Sequence, residues 1–259
     1  MRMVSPAKRL HPLLRTFDAL EYYARVSLVV VWGFLLSLLF TPLAVAFWGN
    51  TTLSWAFARA LSWGGLALLG IRVKVEGREN LPASPAVYLG NHQSNFDILV
   101  MGRVYPRHTV VIGKKELRKV PLFGTFFAAT GNILIDRSDK QQSITGLDEA
   151  VAALRERREN IWVFPEGTRQ RGRGLGTFKK GAFHMAVEAG VPVVPVLASS
   201  LENVLDVENR SVLGGRLVIR ILPPIPTEGL AAADVEPLRK RAEDTFRAEL
   251  RRLDGDQRA

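Results

Sequence analysis

From Val26 to Trp48 the chain runs for 23 residues without a charge. A helix rises about 1.5 Å per residue, so this stretch reaches across a hydrocarbon core of roughly 30 Å. It begins too late and runs too long for the core of a signal peptide, and no small-residue cleavage site stands out. The residues before it are basic: Arg2, Lys8, Arg9, Arg15 and Arg25 outnumber Asp18 and Glu21. Trp32, Phe47 and Trp48 suit a membrane interface. Pro42 predicts a kink or break near the end of the helix.

Gly49-Asn50-Thr51-Thr52 then reads as a turn with capping residues, followed by a second apolar stretch from Leu53 to Ile71. That stretch carries Arg59, with Ser54 and Ser62 on the same side of a helical wheel. A charge at the bilayer centre costs about 3 kcal/mol or more, so this second helix is expected near the interface. Residues 1–71 therefore read as a basic N-terminus and a hydrophobic helical hairpin. It either makes two short spans or lies as a monotopic wedge in one leaflet; a hairpin buried in a protein core is the alternative. Either membrane geometry puts residues 72–259 on the side of the basic N-terminus. By the positive-inside bias this is the cytoplasmic face of the inner membrane.

From residue 72 the pattern changes. Arg72 to Glu76 alternates as a strand does. Short apolar runs at Ala86–Leu89, Thr109–Ile112, Asn132–Ile135, Ile161–Phe164, Val193–Val196 and Arg216–Leu222 read as further strands. Between them lie helical stretches at 98–104, 117–129 (interrupted at Pro121 and Gly124), 140–157, 181–189 and 234–253. Strands alternating with helices predict an α/β domain over 72–259, with a largely parallel mixed sheet covered by helices on both faces.

One strand runs into Gly90-Asn91-His92-Gln93-Ser94-Asn95-Phe96-Asp97. A histidine and an aspartate at a strand-to-helix turn stand where open α/β sheets collect their ligands. Asp97 accepting the Nδ1 proton would leave His92 Nε2 free to take a proton from a hydroxyl. Ser94 reads as the N-cap, with Asp97 at the position of a capping carboxylate. Taken alone the spacing equally describes a surface histidine beside an ordinary cap.

Two other strand ends carry cations. Phe164-Pro165-Glu166-Gly167-Thr168-Arg169-Gln170-Arg171-Gly172 sets arginines among glycines. Arginine recognises phosphate bidentately, and glycine lets the main chain approach an anion. Lys114-Lys115-Glu116-Leu117 leads to Pro121, Gly124, Gly131 and Ile135-Asp136-Arg137. There is no cysteine, hence no thiolate zinc site, and the four histidines are scattered, so no metal site is expected. The net charge of +10 favours an anionic partner. Phe178 is the one aromatic near the basic loop, too few for base stacking, so no nucleic-acid partner is expected.

Together these stretches resemble the glycerolipid acyltransferases, and most closely the 1-acyl-glycerol-3-phosphate acyltransferases. The family's Asn-His-x4-Asp block is matched by Asn91, His92 and Asp97. Its second block is matched by Lys114, Glu116, Leu117, Pro121, Gly124, Gly131, Ile135, Asp136 and Arg137. Its Phe-Pro-Glu-Gly-Thr-Arg-Ser block is matched from Phe164 to Arg169, with Gln170 in place of serine. Its Val-Pro-x-x-Pro strand appears at Val191 to Pro195.

The resemblance implies transfer of an acyl group from a thioester to the sn-2 hydroxyl of lysophosphatidic acid. His92 would be the general base and Asp97 its orienting partner, with no protein nucleophile. It implies Arg169, Lys114 and Arg137 on the substrate phosphate, with Lys115 as a register alternative to Lys114. Glu166 would bind substrate or order its loop, and the Gly167-Thr168 turn would donate N–H groups to the oxyanion. No cofactor is implied. The co-substrate would be acyl-coenzyme A or an acyl carrier protein thioester, and Arg171, Arg173, Lys179 and Lys180 would add attraction to an anionic membrane surface. Another lysolipid or glycerol-3-phosphate as acceptor, and a non-catalytic membrane-binding protein, are the competing readings.

Overall fold

A computed structural model describes residues 12–136 and 139–256. Two long helices open the chain, α1 (Pro12–Ala46) and α2 (Thr51–Leu68). Asn50 closes the turn between them, its side chain accepting the Thr52 N–H. Pro42 does not end α1, which continues to Ala46.

Seven strands form one sheet in the order β1 (Ile71–Glu76), β9 (Gly215–Ile221), β6 (Val193–Ala198), β2 (Val87–Gly90), β5 (Asn160–Val163), β3 (Thr109–Lys114), β4 (Ile133–Ile135). Every pairing is parallel except β6 with β9, so β1 and β9 run against the other five. A small hairpin, β7 (Leu205–Asp206) with β8 (Ser211–Val212), stands apart from the sheet.

The strands separate their side chains into two cores, as the two-residue period requires. Tyr88, Trp162, Val194 and Ile219 face α1, α2, α3 (Asp97–Met101) and α4 (Phe123–Ala129). Val87, Leu89, Ile161 and Val193 face α5 (Lys140–Arg155), α6 (Gly181–Ala189) and α7 (Val235–Asp256). The α7 stripe Val235, Leu238, Ala242, Phe246 and Leu253 is buried throughout. The expected α/β architecture with its N-terminal apolar helix is the one observed.

α2 is held between α1 and the α/β body. Ser54 and Ser62 turn inward and are buried, with Ser54 Oγ 3.5 Å from the Tyr105 hydroxyl. Gly102, after α3, lies against the Ala58 carbonyl and Ser62, where a Cβ would come within 2.6 Å of that carbonyl. Only glycine allows so close an approach. Arg59 donates to the Arg103 carbonyl.

α1 is the one helix among the described residues that is long and apolar enough to cross a membrane. It lies along α2, α4 and β8 rather than standing away from them. Tyr22, Val29 and Leu36 are buried at heptad spacing, while Leu28, Val31, Leu35, Leu38 and Leu39 are at least half exposed.

Candidate active site

Five parallel strands end at one edge of the sheet, and the residues of interest leave those ends. His92 follows β2, Lys114 ends β3, Asp136 follows β4, the Glu166–Arg173 loop follows β5, and Ser199–Leu201 follows β6.

His92 Nδ1 lies 2.6 Å from Asp97 Oδ2, and the Asp97 side chain is almost wholly buried. The same oxygen accepts the main-chain N–H of Gln93 at 2.7 Å and of Ser94 at 3.0 Å. Asp97 therefore closes the turn that carries His92. The capping arrangement read from the sequence is present in the turn that leads into α3, which begins at Asp97: Ser94 Oγ accepts the Phe96 N–H at 3.4 Å while the Asp97 carboxylate takes the Ser94 N–H.

The rest of the His92 environment is equally fixed. Its ring stacks on Phe164, centroids 4.2 Å apart and planes 16° from parallel. That stack depends on Gly90, where a Cβ would meet the Phe164 ring at 3.0 Å. The His92 N–H donates to Glu166 Oε1 at 2.6 Å, and its carbonyl accepts from Gln170 N at 2.9 Å. Asn91 is buried and bonded both ways to Ala198 at the end of β6. Gln93 reaches the same strand end, donating to the Ala198 and Ser199 carbonyls and accepting from Leu201 N. Phe164 stood in the sequence as the first residue of a matched block with no role attached, and nothing distinguished Gln93; the adjacency of β2, β5 and β6 reveals what both do. With Nδ1 engaged, Nε2 makes no hydrogen bond among the described residues, and His92 lines a cavity.

That cavity holds about 640 Å³. His92, Lys114, Gly167, Thr168, Arg169, Arg171 and Arg173 stand at its polar end. Its interior runs between the sheet and the α2–α4 layer, past Phe57, Ala58, Met101, Tyr105, Phe126 and Trp162. A cationic mouth, a histidine and an apolar interior thus share one space.

The other expected residues fall as follows. Lys114 is exposed and 3.5 Å from Glu116, whereas Lys115 pairs with Asp136, which leaves Lys114 on the cavity wall. Arg169 forms no ion pair among the described residues. Arg137 lies outside the described residues. Glu166 does not line the cavity: it is 3% exposed, and its second oxygen accepts the Gly176 N–H at 2.7 Å. Its geometry is that of the loop-ordering role. Burial pushes its carboxyl above the usual carboxylate range, and the two N–H donors oppose that rise. The Gly167 N–H is taken by the Phe164 carbonyl at 3.1 Å, so it is not free for an oxyanion. The Thr168 N–H has no acceptor among the described residues. At Gln170 the loop keeps its main-chain bond to His92, and the side-chain amide turns to the Thr168 carbonyl.

The Acyltransferase family matches residues 72–199 of this chain. A 1-acyl-sn-glycerol-3-phosphate acyltransferase of Saccharomyces cerevisiae is 35% identical over 233 residues, covering 86% of this chain and 75% of the relative. One from Escherichia coli is 38% identical over 185 residues, covering 70% and 75%. The crystal structure of a 1-acyl-sn-glycerophosphate acyltransferase from Thermotoga maritima superposes with a TM-score of 0.70 over 93% of this chain and 96% of the other. Its 24% identity makes that a likeness of fold.

Proposed function

The chain belongs to the 1-acyl-sn-glycerol-3-phosphate acyltransferases, and on that premise we propose that it moves a fatty acyl group from an acyl thioester to the sn-2 hydroxyl of 1-acyl-glycerol-3-phosphate, giving phosphatidic acid. The observation that carries this reading is the His92–Asp97 pair, with His92 lining a cavity that also holds arginines, a lysine and an apolar interior.

His92 Nε2 takes the proton of the acceptor hydroxyl as its oxygen attacks the thioester carbonyl. Asp97 holds the imidazole in the required tautomer and stabilises the imidazolium that forms. The tetrahedral oxyanion then collapses, the carbon–sulfur bond breaks, and the departing thiolate recovers the proton. Fixed donors stabilise such an oxyanion, and we assign that part to the Thr168 N–H, which has no acceptor among the described residues. Arg169 and Lys114 receive the acceptor phosphate, with Arg137 as a third candidate. The apolar interior receives a hydrocarbon chain.

α1 supports a membrane-bound setting. Its buried stripe faces the protein and its exposed apolar face has no protein cover, the arrangement of a helix lying in the interfacial plane. The lipid acceptor and a water-soluble donor, acyl-coenzyme A or acyl carrier protein, then meet at one boundary. The basic N-terminal flank favours the cytoplasmic face.

The test is acyl transfer by the purified, detergent-solubilised chain. Palmitoyl-coenzyme A is offered with lysophosphatidic acid, glycerol-3-phosphate, lyso-ornithine lipid and lysophosphatidylethanolamine. Selective conversion of lysophosphatidic acid, lost in His92→Ala with the thermal transition retained, is the expected result. Transfer to a different acceptor moves the headgroup assignment. Undiminished turnover in His92→Ala removes the general-base role.

A further inference from the structure

This chain pairs its partly buried arginines with carboxylates almost everywhere. Arg220 is held by Glu76 and Glu249, and Arg239 by Glu236 and Glu243. Arg59 and Arg103 are the exception, and the exposed Arg78 adds its charge to theirs. Arg59 on α2 donates to the Arg103 main chain just after α3. The Arg103 guanidinium lies over the Trp63 ring, 3.7 Å from its centroid. Arg103 Nη1 is buried and has no hydrogen-bond partner. None of the three arginines forms an ion pair among the described residues, and the adjacent Glu79 pairs with none of them. Burial, and then the charges of Arg59 and Arg78, hold the Arg103 guanidinium below the usual arginine range.

The cluster is remote from the catalytic edge. Arg78 follows β1, which runs against β2, so it stands at the opposite edge of the sheet from His92. The cluster borders an exposed apolar surface instead. Trp63 is 58% exposed. Its neighbour Gly64 packs against Trp32 of α1, close enough that a Cβ there would meet the indole at 2.3 Å. The exposed side chains of Val31 and Leu35 lie on the same helix.

Three like charges without a counter-charge among the described residues favour an anion. Arginine forks match phosphate oxygens, and an exposed tryptophan beside an apolar face is a residue of the headgroup region. We propose that Arg59, Arg78 and Arg103, bordered by Trp63, form a binding site for the headgroup phosphate of an anionic bilayer lipid, one whose phosphate has no cation of its own beside it, separate from the catalytic cavity. The site fixes the depth and tilt of the α1–α2 hairpin by holding one lipid at its edge. It does not depend on the reaction assigned to His92.

The experiment measures partition of the purified full-length chain onto two kinds of vesicle, phosphatidylcholine alone and phosphatidylcholine with phosphatidylglycerol. Wild type is compared with Arg78→Gln, Arg103→Gln and the double variant. Each substitution is expected to weaken binding to the phosphatidylglycerol vesicles by roughly fivefold and to leave binding to phosphatidylcholine alone unchanged. Turnover of short-chain, monomeric substrates stays at the wild-type level, which separates this site from the catalytic one. Arg103 packs on Trp63 and its loss could disturb the fold; Arg78 is exposed, so Arg78→Gln carries the test if Arg103→Gln shifts the thermal transition. Unchanged partition of Arg78→Gln, or an equal loss on both vesicles, overturns the proposal. A parallel arm adds inorganic phosphate at constant ionic strength. Thermal protection that Arg78→Gln abolishes, without any change in partition, identifies a free-phosphate site and overturns the lipid assignment.

Discussion

Glu166 holds His92 by the main chain. One carboxylate oxygen accepts the His92 N–H at 2.6 Å and the other accepts the Gly176 N–H at 2.7 Å. The base turn after β2 and the arginine loop after β5 are thereby joined through a buried side chain.

Glu166→Gln tests that joint. The amide keeps one acceptor, so one of the two N–H groups loses its partner, costing about 1–3 kcal/mol. The folded-state pKa of Glu166 is raised by burial. A raised carboxyl favours the fold below its unfolded pKa and loses that contribution as pH rises through the folded value. Wild-type thermal stability should therefore decline as pH climbs above the ordinary glutamate value of 4.5, and the glutamine variant should lack that component. Melting curves across the acidic range would show it; identical slopes in both proteins would count against the assignment.

One oxygen of Asp97 takes His92 Nδ1 and the N–H groups of Gln93 and Ser94, so the proposed reaction and the fold both depend on it. Asp97→Asn keeps an oxygen but loses the charge that steadies the imidazolium. Turnover should fall about 10²–10⁴-fold with a modest stability loss. Asp97→Ala should also destabilise by about 1–3 kcal/mol for each N–H left buried without a partner. Parallel kinetics and thermal melts separate the two effects. If Asp97→Asn turns over as fast as wild type, the orienting role is lost.

Much of this site was legible because strand ends are local events. The apolar runs before His92 and Phe164 placed both turns at the right edge, and the resemblance brought them together. The long-range relations were not legible. Asn91 and Gln93 matter because β6 lies beside β2, and strand order leaves no local trace. Ser54 and Ser62 could be placed with Arg59 on one side of the helical wheel, but not against the protein that buries them. A polar stripe on an apolar helix signals only that something other than lipid covers it. Glu166 read as a substrate ligand or a loop residue until the N–H groups of His92 and Gly176 were seen to occupy its oxygens.

Arg169 and Lys114 should differ in effect. Arg169 has no ion pair among the described residues, while Lys114 is partly neutralised by Glu116 at 3.5 Å. Charge-assisted bonds contribute about 1.5–3 kcal/mol. Arg169→Ala should thus raise the KM for lysophosphatidic acid at least about tenfold, with the donor KM little changed. Lys114→Ala should do the same more weakly, and added salt should shrink both effects. Equal changes in donor and acceptor KM would move Arg169 off the phosphate.

The cavity interior sets the last expectation, which rests on its holding the transferred chain. Ala58 on α2 and Trp162 on β5 line it from opposite sides, with Met101, Tyr105 and Phe126 between them. Ala58→Phe puts a ring into that space without adding a polar group. Each methylene denied burial forfeits about 0.8 kcal/mol, so losing two or three should shift the preference between long and short acyl donors by about 10–100-fold. Turnover of the shorter donors should survive, because His92, Asp97 and the arginine loop lie at the other end. Competition between palmitoyl- and decanoyl-coenzyme A reads the shift directly. If the ratio stays at its wild-type value while the variant melts normally, the hydrocarbon lies elsewhere and the cavity needs another occupant. If both donors fail together, the ring has blocked the mouth rather than the interior, and the inferred direction of the chain is wrong.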